Sequence, residues 1–284
     1  MIRTKKKYIT WAIILIALTL LCVTAFWQGL TVTTYTETTG KITAPIRIAV
    51  ISDLHSTIYG DKQETLIDAI RGQKPDVILL TGDIADDKVP HDGTVQLLSS
   101  IGGQYPCYYV SGNHEYWSGE IDAIKDMIRS YGVTILEGDT EILTLNDQKI
   151  RISGVDDPYA FISASTIKNE TAKTWEEQLD ACKSETGDNI YSILLSHRPE
   201  RADDYQNCGF DLVLSGHAHG GQVRVPVILN GLYAPNQGYF PEYTGGRYPL
   251  GETAMIVSRG LCRNNLPRVF NPPELVIVEL NPEN

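Results

Sequence analysis

The chain has 284 residues, 42% of them apolar and 21% charged, which is enough for a large buried core. Glycine and proline are spread without a repeat, so disordered, collagen-like and low-complexity chains are excluded. A net charge of −11 and a pI near 5.0 exclude a protein that binds nucleic acid through bulk positive charge.

That charge is uneven along the chain. Arg3, Lys5, Lys6 and Lys7 precede any acid, and Trp11 to Trp27 (WAIILIALTLLCVTAFW) is uncharged. Seventeen residues at about 1.5 Å each reach roughly 25 Å, the short end for a bilayer span. Trp11 and Trp27 stand where interfacial aromatics are favoured. Two readings are open. Residues 11–27 are an uncleaved signal anchor behind a cytoplasmic tail, 1–10, or a signal peptide cut after Val23-Thr24-Ala25. The bulky Phe26-Trp27 pair after that site favours the anchor, and Leu21 is too large for lipidation at Cys22. Either way the body is expected outside the membrane, anchored to it through the helix or secreted.

Residues 28–44, which include the threonine-rich run Thr31 to Thr43, read as an exposed linker ahead of a domain over 45–284. Cys107, Cys182, Cys208 and Cys262 form no CxxC pair, so buried thiols are the default, although an oxidising compartment would permit a disulfide. An Asn-x-Thr triplet at Asn169 has meaning only in a glycosylating host.

From Pro45 onward, apolar runs alternate with helical patterns. Ile46–Ile51, Val77–Leu80, Tyr108–Val110, Ile193–Leu195 and Leu212–Leu214 suit buried strands. Gln63–Gln73, Thr94–Ile101 and Ile121–Tyr131 carry apolar residues at helical spacing. This order predicts an α/β core with partly parallel strands. Glu141–Leu145, Lys149–Ser153, Ala254–Ser258 and Leu275–Leu280 predict a second sheet.

Each of the five core strands is followed by a small hydroxyl residue and a polar cluster. These read Ser52-Asp53-Leu54-His55, Thr81-Gly82-Asp83, Ser111-Gly112-Asn113-His114-Glu115, Ser196-His197 and Ser215-Gly216-His217-Ala218-His219. Active sites of α/β proteins gather at carboxyl ends of strands, so one dense polar pocket is expected. Of six histidines, only His91 lies outside these clusters. Packing so many imidazoles and carboxylates without a cation would leave them poorly paired, at large cost. Nitrogen and oxygen donors without thiolate favour manganese, iron or zinc.

Asp53-x-His55, Gly82-Asp83, Gly112-Asn113-His114-Glu115, His197 and Gly216-His217-x-His219 together resemble the calcineurin-like metallophosphoesterases. Order and spacing match over roughly Ile46 to His219, and the run GHAHGGQ with the apolar amino terminus resembles a bacterial, surface-directed branch. The resemblance implies an αββα sandwich of two mixed sheets and two divalent ions, manganese favoured. By that resemblance Asp53, His55 and His219 would hold one ion, and Asn113, His197 and His217 the other. Asp83 would bridge both, and His114 would sit beside the leaving group. The implied substrate is a phosphate ester, with diester or pyrophosphate preferred at the cell surface and a monoester or a non-catalytic scaffold as alternatives.

Other residues carry two readings each. Asp86 and Asp87 either orient ligands or belong to a solvated loop, and Glu115 either orients His114 or caps. Arg198 reaches a phosphate or makes a surface ion pair. The loop Asn230 to Leu250 is either a surface excursion or a wall over the metals, with Tyr239, Phe240 and Tyr243 facing the leaving group.

Overall fold

The computed structural model describes residues 2–166, 174–183, 189–206, 208–263 and 266–283; the Asn169 triplet lies outside them. Helix α1, Ile2–Ala25, has no glycine or proline to interrupt it, and the span Lys5–Ala25 is long and apolar enough to cross a membrane. The hydroxyls of Thr10, Thr19 and Thr24 donate to carbonyls one turn back, so they need no outside partner.

Strand β1, Thr31–Thr39, follows, and it corrects the linker expected over residues 28–44. Threonine suits exposure but is also β-branched, and here it alternates between half-buried and exposed positions of an edge strand. Tyr35 turns inward onto the core.

The remaining elements, in chain order, begin with β2 (Ile46–Ile51), α2 (Glu64–Gln73), β3 (Val77–Thr81), α3 (Asp92–Ile101) and β4 (Cys107–Val110). Then come α4 (Asn113–Trp117), α5 (Ile121–Ser130), β5 (Thr134–Ile135), β6 (Asp139–Leu145) and β7 (Gln148–Gly154). Helices α6 (Tyr159–Thr166) and α7 (Trp175–Cys182) precede β8 (Tyr191–Leu195), α8 (Ala202–Tyr205) and β9 (Leu212–Ser215). The small hairpin β10 (Tyr233–Ala234) and β11 (Gly238–Tyr239) leads to β12 (Gly246–Leu250), β13 (Thr253–Val257) and β14 (Glu274–Pro282).

Two six-stranded mixed sheets result, ordered β1-β14-β2-β3-β4-β5 and β12-β13-β9-β8-β7-β6. Ile48, Val50 and Leu79 of the first meet Ile152, Ile193 and Leu214 of the second in the central core. Helices α2, α3 and α5 cover the outer face of the first sheet, and α7 and α8 that of the second. This is the expected αββα sandwich. The strand assignment differs in two respects. The five core strands divide between the sheets, three and two, and Leu275–Leu280 lies within β14, between β1 and β2. Apolar runs record burial on both faces and carry no information about which neighbour a strand pairs with.

The division matters for function. Strands β2, β3 and β4 run parallel, as do β7, β8 and β9, and the carboxyl ends of both sets meet at one edge of the sandwich. Hydrogen bonds cross there between the sheets, from His217 N–H to Asp53 and between His197 Nδ1 and the Thr81 carbonyl at 2.8 Å.

Candidate metal centre

The loops after the strands leave extended geometry abruptly. Asp53, His55, Asp83, His217 and His219 all have φ between 46° and 66°, a left-handed region that non-glycine residues adopt at a cost. Neighbouring loops hold this strain in place. The amides of Asp53 and His55 donate to the carbonyls of Gly82 and Asp83, continuing the β2–β3 ladder past the sheet. Buried Glu115 accepts from the amides of Asp83, Ile84, Ala85 and Gly112. It thus locks the Asp83 turn and caps α4, and its carboxylate is spent on backbone rather than on the His114 ring.

Six of the seven side chains expected at the centre, those of Asp53, His55, Asp83, His197, His217 and His219, lie together. One donor atom from each of Asp53, His55, Asp83 and His219 lies within 4.8 Å of the others, and so does one from each of Asp83, His197 and His217. Asp83 belongs to both groups. Its Oδ2 is 3.6 Å from His55 Nε2 and 3.2 Å from His197 Nε2. His219 Nε2 lies 3.3 Å from Asp53 Oδ1 and 3.3 Å from His55 Nε2. Asn113 is buried at the start of α4.

Among the described residues, buried Asp83 Oδ2, Asn113 Oδ1 and His197 Nε2 have no hydrogen-bond partner. Burying such atoms unpaired costs about 1–3 kcal/mol each, more when charged. Two of them, Asp83 Oδ2 and His197 Nε2, lie 3.2 Å apart, and such a pair fits a cation beside it.

The outer nitrogens fit as well. His55 Nδ1 is 3.1 Å from Asp86 Oδ2, His219 Nδ1 is 2.8 Å from Cys262 Sγ, and His197 Nδ1 faces the Thr81 carbonyl. The Asp86 carboxylate and the Thr81 carbonyl can only accept, so they place N–H on Nδ1 of His55 and His197 and turn Nε2 inward. His217 is reversed: its Nε2 points outward and lies 2.9 Å from both Asn236 Oδ1, an acceptor, and Arg198 Nη1, a donor. Arg198 donates to the same oxygen at 2.6 Å.

Charge coupling is strong. Burial alone would raise the Asp83 pKa, but His197 and His55 hold it well below the carboxylate range. Burial opposes a charge on His197, yet Asp83 and Asp53 lift its pKa to about 10. Burial, Arg198 and His197 push His217 well down, so it stays a neutral imidazole.

His114 stands beside this cluster and outside both donor groups that share Asp83. Its ring meets His55 edge-on at 4.3 Å between centroids, packs on Trp117, and places Nδ1 2.7 Å from Asp87 Oδ1. Asp86 and Asp87 therefore touch the His55 and His114 rings rather than serving only a solvated loop. Arg198 is buried and bidentate to Asp157, which rules out the surface ion pair. Of the two readings of the Asn230 to Leu250 loop, the surface excursion fits Tyr239 and Phe240, which are exposed, while Asn236 from the same loop reaches the centre. Aromatic content could not show which loop residue turns inward.

The open side of the centre is a cleft of ≈ 720 Å³ lined by His55, His114 and His219 together with Ile58, Lys88, Val89, Arg263 and Leu266. Cys262 and Asn236 are the site residues that sequence reasoning missed. All five cysteines are unpaired, and a lone thiol without spacing to a partner gives no signal.

A two-sheet sandwich carrying an aspartate shared by two His-rich donor groups defines a metal-dependent hydrolase. The calcineurin-like phosphoesterase family model matches residues 46–221, and the chain belongs to that family. It is 30% identical to the uncharacterized metallophosphoesterase YkuE of Bacillus subtilis over 84% of this chain and 80% of that one. It is 27% identical to the phosphodiesterase YaeI of Escherichia coli, over 84% and 83% of the two chains. Among solved structures, Plasmodium GAP50 shares the fold with a TM-score of 0.50 at 14% identity, over 84% of this chain and 82% of that one. The chain is thus a metallophosphoesterase.

Proposed function

We propose that this chain is a phosphodiesterase or pyrophosphate-cleaving enzyme held at the outer face of a cell membrane by α1, with residues 1–10 on the cytoplasmic side. Asp53, His55, Asp83 and His219 hold one divalent ion, and Asp83, Asn113, His197 and His217 hold the second; manganese is favoured over iron or zinc. The observation that carries this reading is Asp83, shared by both groups with an orphaned buried Oδ2. When bound, two such ions neutralise charge on a transferring phosphoryl group and acidify water.

The side chains supply the rest. Asp86 and Thr81 fix the His55 and His197 rings with Nε2 inward, and Cys262 and Asn236 hold the outer nitrogens of His219 and His217. Asn113 is a neutral donor, which limits negative charge facing an anionic substrate. Asp87 fixes His114 through Nδ1, and His114 Nε2 passes a proton to the departing oxygen. A diester is preferred because the Escherichia coli relative is named a phosphodiesterase.

The test is hydrolysis of bis-p-nitrophenyl phosphate by the detergent-purified chain with Mn²⁺, and its loss in Asp83→Asn. Faster cleavage of p-nitrophenyl phosphate than of the diester would move the assignment to a monoesterase. Two bound metals without turnover of any ester would make the chain a scaffold.

A further inference from the structure

Four observations converge on one edge of the molecule. Directly after His219, the chain makes a tight turn in which Val225 N–H donates to Leu229 O at 2.9 Å and Leu229 N–H returns to Val225 O at 2.8 Å. Its tip is apolar and turned to solvent: Val227 is fully exposed and Ile228 is 83% exposed. Val227 also has φ 70°, a conformation that a β-branched residue adopts only under constraint. The constraint comes from the segment alongside, through Arg224 N–H to Val269 O at 2.9 Å.

That same segment receives the end of α1. Phe270 N–H donates to Ala25 O at 2.7 Å, and the Gln28 side chain donates to Arg268 O at 2.9 Å. The helix therefore leaves the domain beside the turn. Charge follows the same boundary. Residues 212–241 and 253–273 contain no Asp or Glu, in a chain with 35 of them, and they carry Arg224 and Arg263, while Arg259 is paired with Glu274. Finally, Leu266, exposed on this segment, lines the cleft beside His114 and His219, together with exposed Ile58 and Val89.

We propose that the Val225–Leu229 turn and the Leu266–Phe270 segment dock on the lipid bilayer surface, so that the cleft opens against the membrane and takes phosphoesters carried by lipids. This rests on the reading of α1 as an anchor and of the cleft as a phosphoesterase site. A bilayer fits better than a protein partner, because the helix emerging at the turn already fixes the membrane there. The two docking segments are apolar and free of acids, and Arg263 beside them suits anionic headgroups; Asp86, Asp87 and Asp92 lie on the cleft wall instead. The patch is small, but the tether makes docking intramolecular, so weak attraction suffices.

The test uses the full chain with Cys22→Ser, reconstituted in vesicles of phosphatidylglycerol and phosphatidylethanolamine. Spin labels are placed singly at Val227→Cys, at Leu18→Cys in α1, and at Asp147→Cys, at the amino-terminal end of β7 and so at the opposite edge of its sheet. Accessibility to oxygen and to a water-soluble nickel chelate gives the depth of each label. The expected result places the Val227 label about 5–10 Å below the headgroups, where interfacial apolar surfaces sit, with the Asp147 label in water. A Val227 label in water while Leu18 reports insertion overturns the docking; shielding from both reagents overturns it in favour of a second protein surface. A Leu18 label in water overturns the anchor itself.

A second arm compares substrates. Val227→Asp with Ile228→Asp lowers turnover of vesicle-borne phosphatidyl esters about tenfold or more relative to bis-p-nitrophenyl phosphate, because charges at that depth are costly. Equal loss on both substrates, or on neither, refutes the lipid-borne substrate. The depth arm needs no turnover, so a docked chain inert toward every ester would sink the phosphoesterase reading alone.

Discussion

Gly112 offers a steric test of the centre that leaves every donor residue in place. Its φ of −112° is open to any residue, so alanine meets no conformational penalty there. The added methyl meets Asp83 instead: a Cβ at Gly112 would lie 2.2 Å from Asp83 Oδ1 and 2.5 Å from Asp83 N. Ordinary contact begins near 3.4 Å, so the carboxylate must move by about 1.2 Å to relieve the overlap. Oδ1 also accepts the His114 amide at 2.8 Å, and Glu115 pins the Asp83 amide, so the turn has little room to yield. Overpacking of this kind costs about 1–3 kcal/mol of stability. A shift of about 1 Å at the shared carboxylate costs about 10²-fold in rate. Gly72→Ala is the matched control, because its Cβ meets nothing within 4 Å on the exposed face of α2, and alanine there stabilises by up to about 1 kcal/mol. The assays are urea unfolding, metal content by plasma mass spectrometry, and kcat on the diester with Mn²⁺. Should Gly112→Ala keep two metals per chain, full kcat and unchanged stability, the placement of Asp83 as the shared donor is wrong.

Three further outcomes follow from the same geometry. His114→Ala should keep both metals and lose about 10²–10⁴ in kcat, with the larger losses on esters of poorly leaving alcohols; a flat loss across a leaving-group series would argue against proton transfer from this ring. Adding Mn²⁺ to the metal-free chain at neutral pH should release a proton, because Asp83 raises the His197 pKa to about 10, and the ring must be neutral to bind through Nε2. Calorimetry in two buffers of different ionisation enthalpy measures it, and affinity should climb with pH until His197 is deprotonated unaided. Away from the centre, Lys125→Met strands buried Asp156, whose Oδ1 accepts from Lys125 Nζ at 2.8 Å. Ser111, Tyr116 and Gln178 still bond Asp156, so the loss in urea should fall near the low end of the range for a broken buried pair, about 3 kcal/mol.

What the chain order revealed, and what it hid, divides along a physical line. The five polar clusters were legible because each follows a buried apolar run, and a strand end is the place where a short loop can present polar groups without burying its own backbone. The partition of strands between sheets was not legible, since Val77–Thr81 and Tyr191–Leu195 are equally buried yet belong to different sheets. Orienting partners were the least visible. Asp86 lies close in sequence to Asp83, but Asn236 and Cys262 come from distant loops and carry no recurring spacing. Their roles appear only when the fold sets them against His217 and His219. Strand β1 was missed for a different reason: threonine at an exposed edge has the composition of a linker and the conformation of a strand.

The centre lies between the sheets rather than above one of them because neither sheet carries the whole donor set. A single sheet edge could present Asp53, Asp83 and Asn113, all from β2, β3 and β4, but no second wall of imidazoles to face them. His197 and His217 come from β8 and β9 of the other sheet, and their loops bond back to Thr81 and Asp53. The first sheet therefore supplies four of the seven donors and the second three, and the bonds of His197 to Thr81 and of His217 to Asp53 tie the two sets together. Stability of the sandwich and occupancy of the centre are consequently linked: anything that binds the assembled site and not the separated sheets adds to the free energy of unfolding. Metal should thus raise the unfolding midpoint of the whole domain, and chelation should lower it without first melting one sheet. Two separate unfolding steps in the metal-free chain, one for each sheet, would contradict this coupling.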